Sequence, residues 1–234
     1  MWEFIDKIVY INLDHREDRR QIMQKLFDEG QIPPEKIHRF SAIKHKFGIV
    51  GCSMSHISVL KLAKEQKWKN VLIMEDDLTW KDFEENYKQL ETLPEFDVCM
   101  IGGQYLEKSN LKVTGAFYTN AYIVSSHYYD TLLDNFETGL SLKLDKKMFS
   151  FGSLEKKNKL YENMVNEDYW NCLDVYWIKL QLRDNWIGIS MIEQVPTYSD
   201  LYNKDVDHAN TTIHTHVINS IFMDRAKAYF KIEK

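Results

Sequence analysis

Val71-Leu72-Ile73-Met74-Glu75-Asp76-Asp77 carries four consecutive apolar side chains straight into three carboxylates. An apolar run this short, bounded so abruptly, reads as a strand buried on both faces, and such strands belong to sheets covered by helices on each side. Upstream, Lys7 to Leu13 (KIVYINL) has the same character. A polar stretch, Asp14 to Arg20 (DHREDRR), follows it. A helix is predicted to about Asp28, with Ile22, Met23, Leu26 and Phe27 as its apolar stripe, and Gly30 and Pro33-Pro34 end it. Lys36 to Ala42 reads as another strand. Gly51-Cys52-Ser53 is expected to open a helix reaching about Lys67, with Ile57, Leu60 and Ala63 facing inward. Downstream come a helix over Lys81 to Leu90 and a strand over Asp97 to Ile101, ended by Gly102-Gly103. Strands alternating with helices predict an α/β fold with a mostly parallel, doubly wound sheet flanked by helices in this N-terminal half.

The rest of the chain is less regular. Ala116 to Val124 reads as a strand, Ser126 to Phe136 as a helix, and Lys143 to Asn166 as a Lys-, Glu- and Asn-rich excursion. A helix is expected over Asp168 to Leu182, one or two strands over Trp186 to Gln194, and a last helix over Ile221 to Phe230. With 234 residues, no internal repeat and no linker rich in Pro, Gly or Ser, a single domain over 1–234 is the simplest organisation, a regular half to about 105 and a less regular half beyond.

Composition narrows the function classes. A hydrophobic fraction of 44% with 9 Gly and 4 Pro excludes global disorder and collagen-like repeats. The 30 basic and 35 acidic residues give a net charge of -5, so no basic field announces a nucleic acid. A polyanionic ligand must then be handled locally or through a metal. Three cysteines, Cys52, Cys99 and Cys172, are widely spaced and form no CxxC or Cys/His pattern, which reads as reduced, largely buried thiols. Without a signal-like N-terminus or an apolar run of membrane-spanning length, a cytoplasmic protein is expected.

The acidic trio is the sharpest chemical feature. In open α/β sheets ligands bind beyond the carboxyl ends of the strands. Three adjacent carboxylates there repel one another, and a hard dication such as Mn²⁺ or Mg²⁺ resolves the conflict through oxygen ligation. In an extended segment Glu75 and Asp77 point one way and Asp76 the other. The plain alternative is a solvated acidic turn that caps a helix.

KIVYINLDHREDRR, GCSMSHISVL and VLIMEDDLTW, in that order, resemble glycosyltransferase family 25, which includes lipooligosaccharide and procollagen galactosyltransferases. The matching pieces are Ile11-Asn12-Leu13, Asp18-Arg19, Gly51-Cys52 with Ser55-His56, and Glu75-Asp76-Asp77. The resemblance implies a GT-A-like fold, a donor that is a nucleotide sugar (usually UDP-linked), Mn²⁺ or Mg²⁺ at Glu75 and Asp77, and transfer of a hexose, galactose or glucose favoured, to a hydroxyl acceptor with inversion. The acceptor, whether glycan, protein or small molecule, and the oligomeric state are not legible. The nucleotide-contacting set is Asn12, Leu13, Arg19 (or Arg16), Ser41, Ala42, Ser55, His56 and Asp76. Ser55 and His56 are placed in the first turn of a helix, where unpaired N–H groups favour anions; a hydrogen-bonded structural role is the alternative for His56. An acceptor-activating carboxylate is expected near the late helix. Asp174 in CLDVYW matches the family position, although the family's usual VD pair is here Leu173-Asp174-Val175, and Asp168 in NEDYW competes. Val195 to Leu201 resembles the family's late Pro and S-D-I-like element. A histidine after it, His208 in preference to His214 or His216, is expected to complete the metal shell.

Three rivals use the same residues. A receiver domain would carry its acidic cluster after the first strand and an acceptor Asp after a later one, where this chain has Gly102-Gly103. A two-metal phosphohydrolase needs ligands from several strand ends, and the early strands offer little beyond Asp14. A non-catalytic sugar-binding relative would keep the donor site and lack the base.

Overall fold

The computed structural model describes residues 2–145, 170–200, 204–206 and 216–232. Its centre is β3 (Asn70–Met74), flanked on one side by β1 (Lys7–Asn12), which in turn pairs with β2 (Ile37–Ser41), all three parallel. On the other side lies β8 (Ala121–Ser125), antiparallel to β3, followed by β5 (Val98–Gly102) and β9 (Trp186–Gln194). A hairpin of β6 (Gln104–Ser109) and β7 (Lys112–Phe117) forms the far edge, and β4 (Leu78–Trp80) pairs with the end of β9. A separate ribbon joins β10 (Thr197–Ser199) to β11 (Lys204–Val206).

The apolar runs are explained by helices on both faces. Val9, Ile11, Val71, Ile73, Val98, Met100, Tyr122 and Val124 enter one core. Their alternates Ile8, Tyr10, Leu72, Met74, Cys99, Ile101, Ala121 and Ile123 enter the other, as the two-residue period of a strand requires. The first core is closed by α2 (Gly48–Glu65), α4 (Tyr129–Asp145), the short α5 (Leu173–Tyr176) and α6 (Ile178–Arg183), and α7 (His216–Tyr229). The second is closed by α1 (Glu17–Glu29) and α3 (Phe83–Leu90), with Trp2 fully buried between them and the sheet.

The α/β architecture is as expected, with corrections. The sheet is mixed, because β8 from the later part of the chain sits antiparallel between β3 and β5. An apolar run declares a strand central; it does not declare its direction. Ala116 to Val124 is two strands, broken at residues 118–120 by Tyr118 with φ 69°. Of the helix expected over Asp168 to Leu182, the described part is two short helices. The helix expected from Lys81 begins at Phe83, after β4, and the last helix begins at His216. The helix expected to open at Gly51 begins at Gly48, and this bears directly on the site.

Candidate functional site

β3 ends at Met74, and Glu75-Asp76-Asp77 is pinned on both sides. Glu75 N–H donates to the Asn120 carbonyl (2.8 Å), and Val195 N–H donates to the Asp77 carbonyl (2.8 Å). The chain bends at Asp76 and Asp77, and the alternation expected of an extended segment does not hold. Asp76 and Asp77 turn to one partner: the Arg19 guanidinium lies 2.6 Å from Asp76 Oδ1 and 3.1 Å from Asp77 Oδ2. Asn12, at the end of β1, donates from Nδ2 to Asp76 Oδ2 at 2.7 Å. Glu75 turns away, accepting from Thr119 Oγ1 at 3.0 Å.

The loop after β1 ties this tip to the late Ser199-Asp200 element. Arg16 and Arg19 each donate to the Tyr198 carbonyl at 2.9 Å. Arg16, its side chain 9% exposed, also pairs with Asp18 (2.7 Å) and Asp200 (2.5 Å). The hydrogen bonds from Arg16 hold the Asp18 carboxyl down at about 2. Leu13 is half-buried at the start of this loop. Nearby, Ser41 Oγ donates to Asp14 at 2.8 Å, Arg39 Nε donates to Asn12 Oδ1 at 2.9 Å, and Ala42 N–H donates to the Asn12 carbonyl at 2.9 Å. Residues 12, 39, 41 and 42 thus form one connected rim at the carboxyl ends of β1 and β2.

α2 explains the GC-x-x-SH spacing as two pairs, each four residues apart on one helical face. Gly51 and Ser55 hold the loop after β2. A Cβ at Gly51 would lie 2.4 Å from the Ile43 carbonyl oxygen, and Ser55 Oγ accepts from Ile43 N–H at 2.8 Å while donating to the Gly51 carbonyl at 2.7 Å. Because α2 starts at Gly48, Ser55 and His56 are well inside the helix, where N–H groups are already committed to the helical ladder. The expected first-turn anion site is corrected accordingly. Cys52 and His56 form the second pair, facing Glu75. His56 Nδ1 lies 2.9 Å from Tyr122 Oη. Its Nε2 is 3.9 Å from Glu75 Oε1, beyond hydrogen-bond range, and has no hydrogen-bond partner among the described residues.

Burial dominates the electrostatics. The His56 ring is 1% exposed and desolvation drops it to about 3, so it is neutral. Burial, then the Asp77 charge, raise Glu75 to about 8, against the opposing pull of Thr119. Burial also raises Asp76, outweighing Arg19 and Asn12. Asp174, in the first turn of α5, is raised by burial as well, although its Oδ2 accepts from Tyr118 N–H at 3.2 Å. The Cys52 thiol is pushed well up by burial and then by the charges of Glu75 and Asp174, which puts both carboxylates in its surroundings.

The structure therefore gathers Asn12, Arg19, Asp76 and Asp77 into one cluster and His56, Glu75 and Thr119 into an adjoining one. Asp168, His208 and His214 lie outside the described residues. His216 starts α7, with its side chain also outside them. Sequence reasoning does not single out Cys52, Thr119 or Asn120 as site residues. The four-residue spacing of Cys52 and His56 is the available signal for the first; nothing in the sequence marks the other two.

Comparison with known proteins first places the chain among homologues of named glycosyltransferases. A glycosyltransferase of Acanthamoeba polyphaga mimivirus is 29% identical over 135 residues, 48% of this chain and 41% of the relative. A glycosyltransferase 25 family member of Drosophila melanogaster is 26% identical over 164 residues, 52% of this chain and 26% of the relative. The chain is thus distantly homologous to glycosyltransferase family 25 members, while spanning less than half the length of either relative. No family model matches it. Among solved structures, a glycosyltransferase involved in glycosylation of the major capsid of PBCV-1 superposes with a TM-score of 0.45 at 9% identity, covering 93% of this chain and 98% of that one. Mannose-1-phosphate geranyltransferase from Thermus thermophilus gives 0.41 at 11% identity, covering 80% and 75%.

Proposed function

We propose that the chain is a single GT-A-like domain transferring a hexose, galactose or glucose favoured, from a UDP-linked sugar to a hydroxyl acceptor with inversion at the anomeric carbon. The observation that carries this reading is the run Tyr118-Thr119-Asn120. Tyr118 N–H bonds Asp174, Thr119 Oγ1 bonds Glu75, and the Asn120 carbonyl takes Glu75 N–H. Three consecutive residues thereby bridge the acidic tip and the candidate base. A donor held at the tip and an acceptor hydroxyl at Asp174 would share that short span.

The tip suits a hard dication by its donor set, which is all oxygen, and by already holding one cationic group, Arg19, on Asp76 and Asp77. Asp77 would hold Mn²⁺ or Mg²⁺, joined by Glu75 once its carboxylate swings back from Thr119, with His208 the expected third ligand. Such an ion supplies neutralisation of the negative charge that grows on the departing diphosphate. The chain's own residues do the remainder. Arg19 and Asn12 orient Asp76, the rim of Ser41 and Ala42 borders the base and ribose, and Asp174 takes the acceptor's proton. A carboxyl whose proton affinity is raised by burial is a better general base than a solvated one.

Asp77→Ala is expected to abolish Mn²⁺-dependent hydrolysis or transfer of a UDP-sugar while circular dichroism and melting show an intact fold. Undiminished turnover in that variant removes the metal assignment. A thermal-shift comparison of UDP-, GDP- and CDP-sugars with and without Mn²⁺ then identifies the donor, since only a ligand bound by the native state raises the melting temperature.

A further inference from the structure

The Glu75 carboxylate, turned away from Asp76 and Asp77, lies beside a different set of donors. Cys52 Sγ, His56 Nε2 and a Glu75 carboxylate oxygen lie within 4.8 Å of one another. Among the described residues this is the only group of three or more His, Cys, Asp or Glu side chains gathered so closely. The acidic tip itself, Glu75 with Asp76 and Asp77, does not converge in this way.

We propose that Cys52, His56 and Glu75 form a binding site for a thiophilic divalent cation, zinc above all, separate from the hard-cation role of Asp77. Four observations support it. The ligand types are one thiol, one imidazole and one carboxylate; thiolate and imidazole select zinc over magnesium or manganese, which prefer all-oxygen shells. The scaffold is rigid, because Cys52 and His56 project from one face of α2, four residues apart. The Nε2 atom of His56 is buried, lacks a hydrogen-bond partner among the described residues and points at Glu75. The other ring nitrogen lies 2.9 Å from Tyr122 Oη; in the tautomer where Nδ1–H donates to that oxygen, Nε2 carries the lone pair a metal needs.

The dimensions also fit. Ligand atoms around a tetrahedral zinc sit roughly 3.3–3.6 Å apart, given bonds of about 2.0–2.3 Å. The 3.9 Å between His56 Nε2 and Glu75 Oε1 exceeds that spacing by only about 0.5 Å. Three protein ligands leave a fourth position, and Cys52 is only partly buried, so water can complete the shell. On binding, the Cys52 S–H bond is replaced by an S–metal bond and the Glu75 O–H bond by an O–metal bond, and both protons leave to solvent.

The test needs no turnover and so stands or falls apart from the transferase reading. Purified, metal-free protein is titrated with Co²⁺, a coloured stand-in for zinc, and then back-titrated with Zn²⁺. The expected result is a near-ultraviolet thiolate-to-cobalt charge-transfer band at one equivalent, bleached by Zn²⁺, absent in Cys52→Ser and weakened in His56→Gln, but retained in Asp77→Ala. In parallel, Zn²⁺ should slow iodoacetamide modification of Cys52 in the unaltered protein, while a small free thiol in the same mixture reacts at an unchanged rate. This measurement remains decisive where a variant folds poorly. Cobalt binding without the band, a band that persists in Cys52→Ser, or alkylation of Cys52 indifferent to Zn²⁺ overturns the assignment.

Discussion

His56 and Glu75 face each other with opposite pH dependences. In the metal-free protein His56 is depressed to about 3 by burial, so between that value and its unfolded 6.5 the unfolded chain takes up a proton the native one refuses. The contribution to stability is complete above 6.5 and is lost as pH falls, by up to roughly 1.4 kcal/mol for each pH unit in that window. Glu75 is raised to about 8; between its unfolded 4.5 and that value the native state retains a proton, and stability declines as pH rises. His56→Gln is therefore expected to flatten the acid limb of a urea-denaturation series, and Glu75→Gln to remove the decline between pH 4.5 and about 8. An acid limb unchanged in His56→Gln would mean the ring is protonated in place. Little of this is legible in sequence. The acidic trio announces itself by charge, but Cys52 reads only as a thiol without a disulfide or CxxC partner, and its one link to His56 in the linear order is the four-residue spacing.

At the scale of elements, α2 shows how a correct motif can carry an incorrect local reading. Gly51 looks like a helix start because glycine breaks helices, yet the helix runs from Gly48 through it. The residue is small because the Ile43 carbonyl lies where a Cβ would go. Gly51→Ala is expected to cost about 1–3 kcal/mol as backbone overpacking, read as a melting temperature lower by several degrees, and to loosen the loop carrying Ala42. A melting point equal to that of the unaltered protein would show the loop yields freely. Arg16 is the corresponding clasp for β10: it carries Asp18, Asp200 and the Tyr198 carbonyl. Arg16→Ala should expose residues near 198–200 to limited proteolysis while the sheet core remains protected; an unaltered cleavage pattern would count against that clasp. Strand and helix positions in residues 7 to 74 are readable because period and burial agree there. The β6–β7 hairpin is not, since its outer residues Glu107, Lys108 and Ser109 are exposed and carry no apolar pattern.

For the molecule as a whole, the consequence of topology is interdependence. β8 separates β3 from β5, and β9 completes β5's other edge, so the early strands do not form a continuous sheet without the later ones. A fragment ending near residue 105 is expected to give a poorly dispersed amide spectrum and no cooperative melt, since it leaves the long apolar edges of β3 and β5 unpaired. A well-dispersed spectrum would show that the first three strands suffice. Sequence alone reveals the membership of the sheet and not its order, because strand order depends on pairings between residues far apart in the chain, such as Ala121 with Met74. No described helix is long and apolar enough to cross a membrane.

Arg19 spends one planar group on two carboxylates and a backbone carbonyl. On the transferase reading, a dication held at Asp77 would compete with that guanidinium for the carboxylate, and an Arg19 fork released from Asp77 would be free to meet a diphosphate. Loading would be sequential, the ion priming its own anion receptor, and stopped-flow mixing in either order should show the nucleotide waiting on the metal.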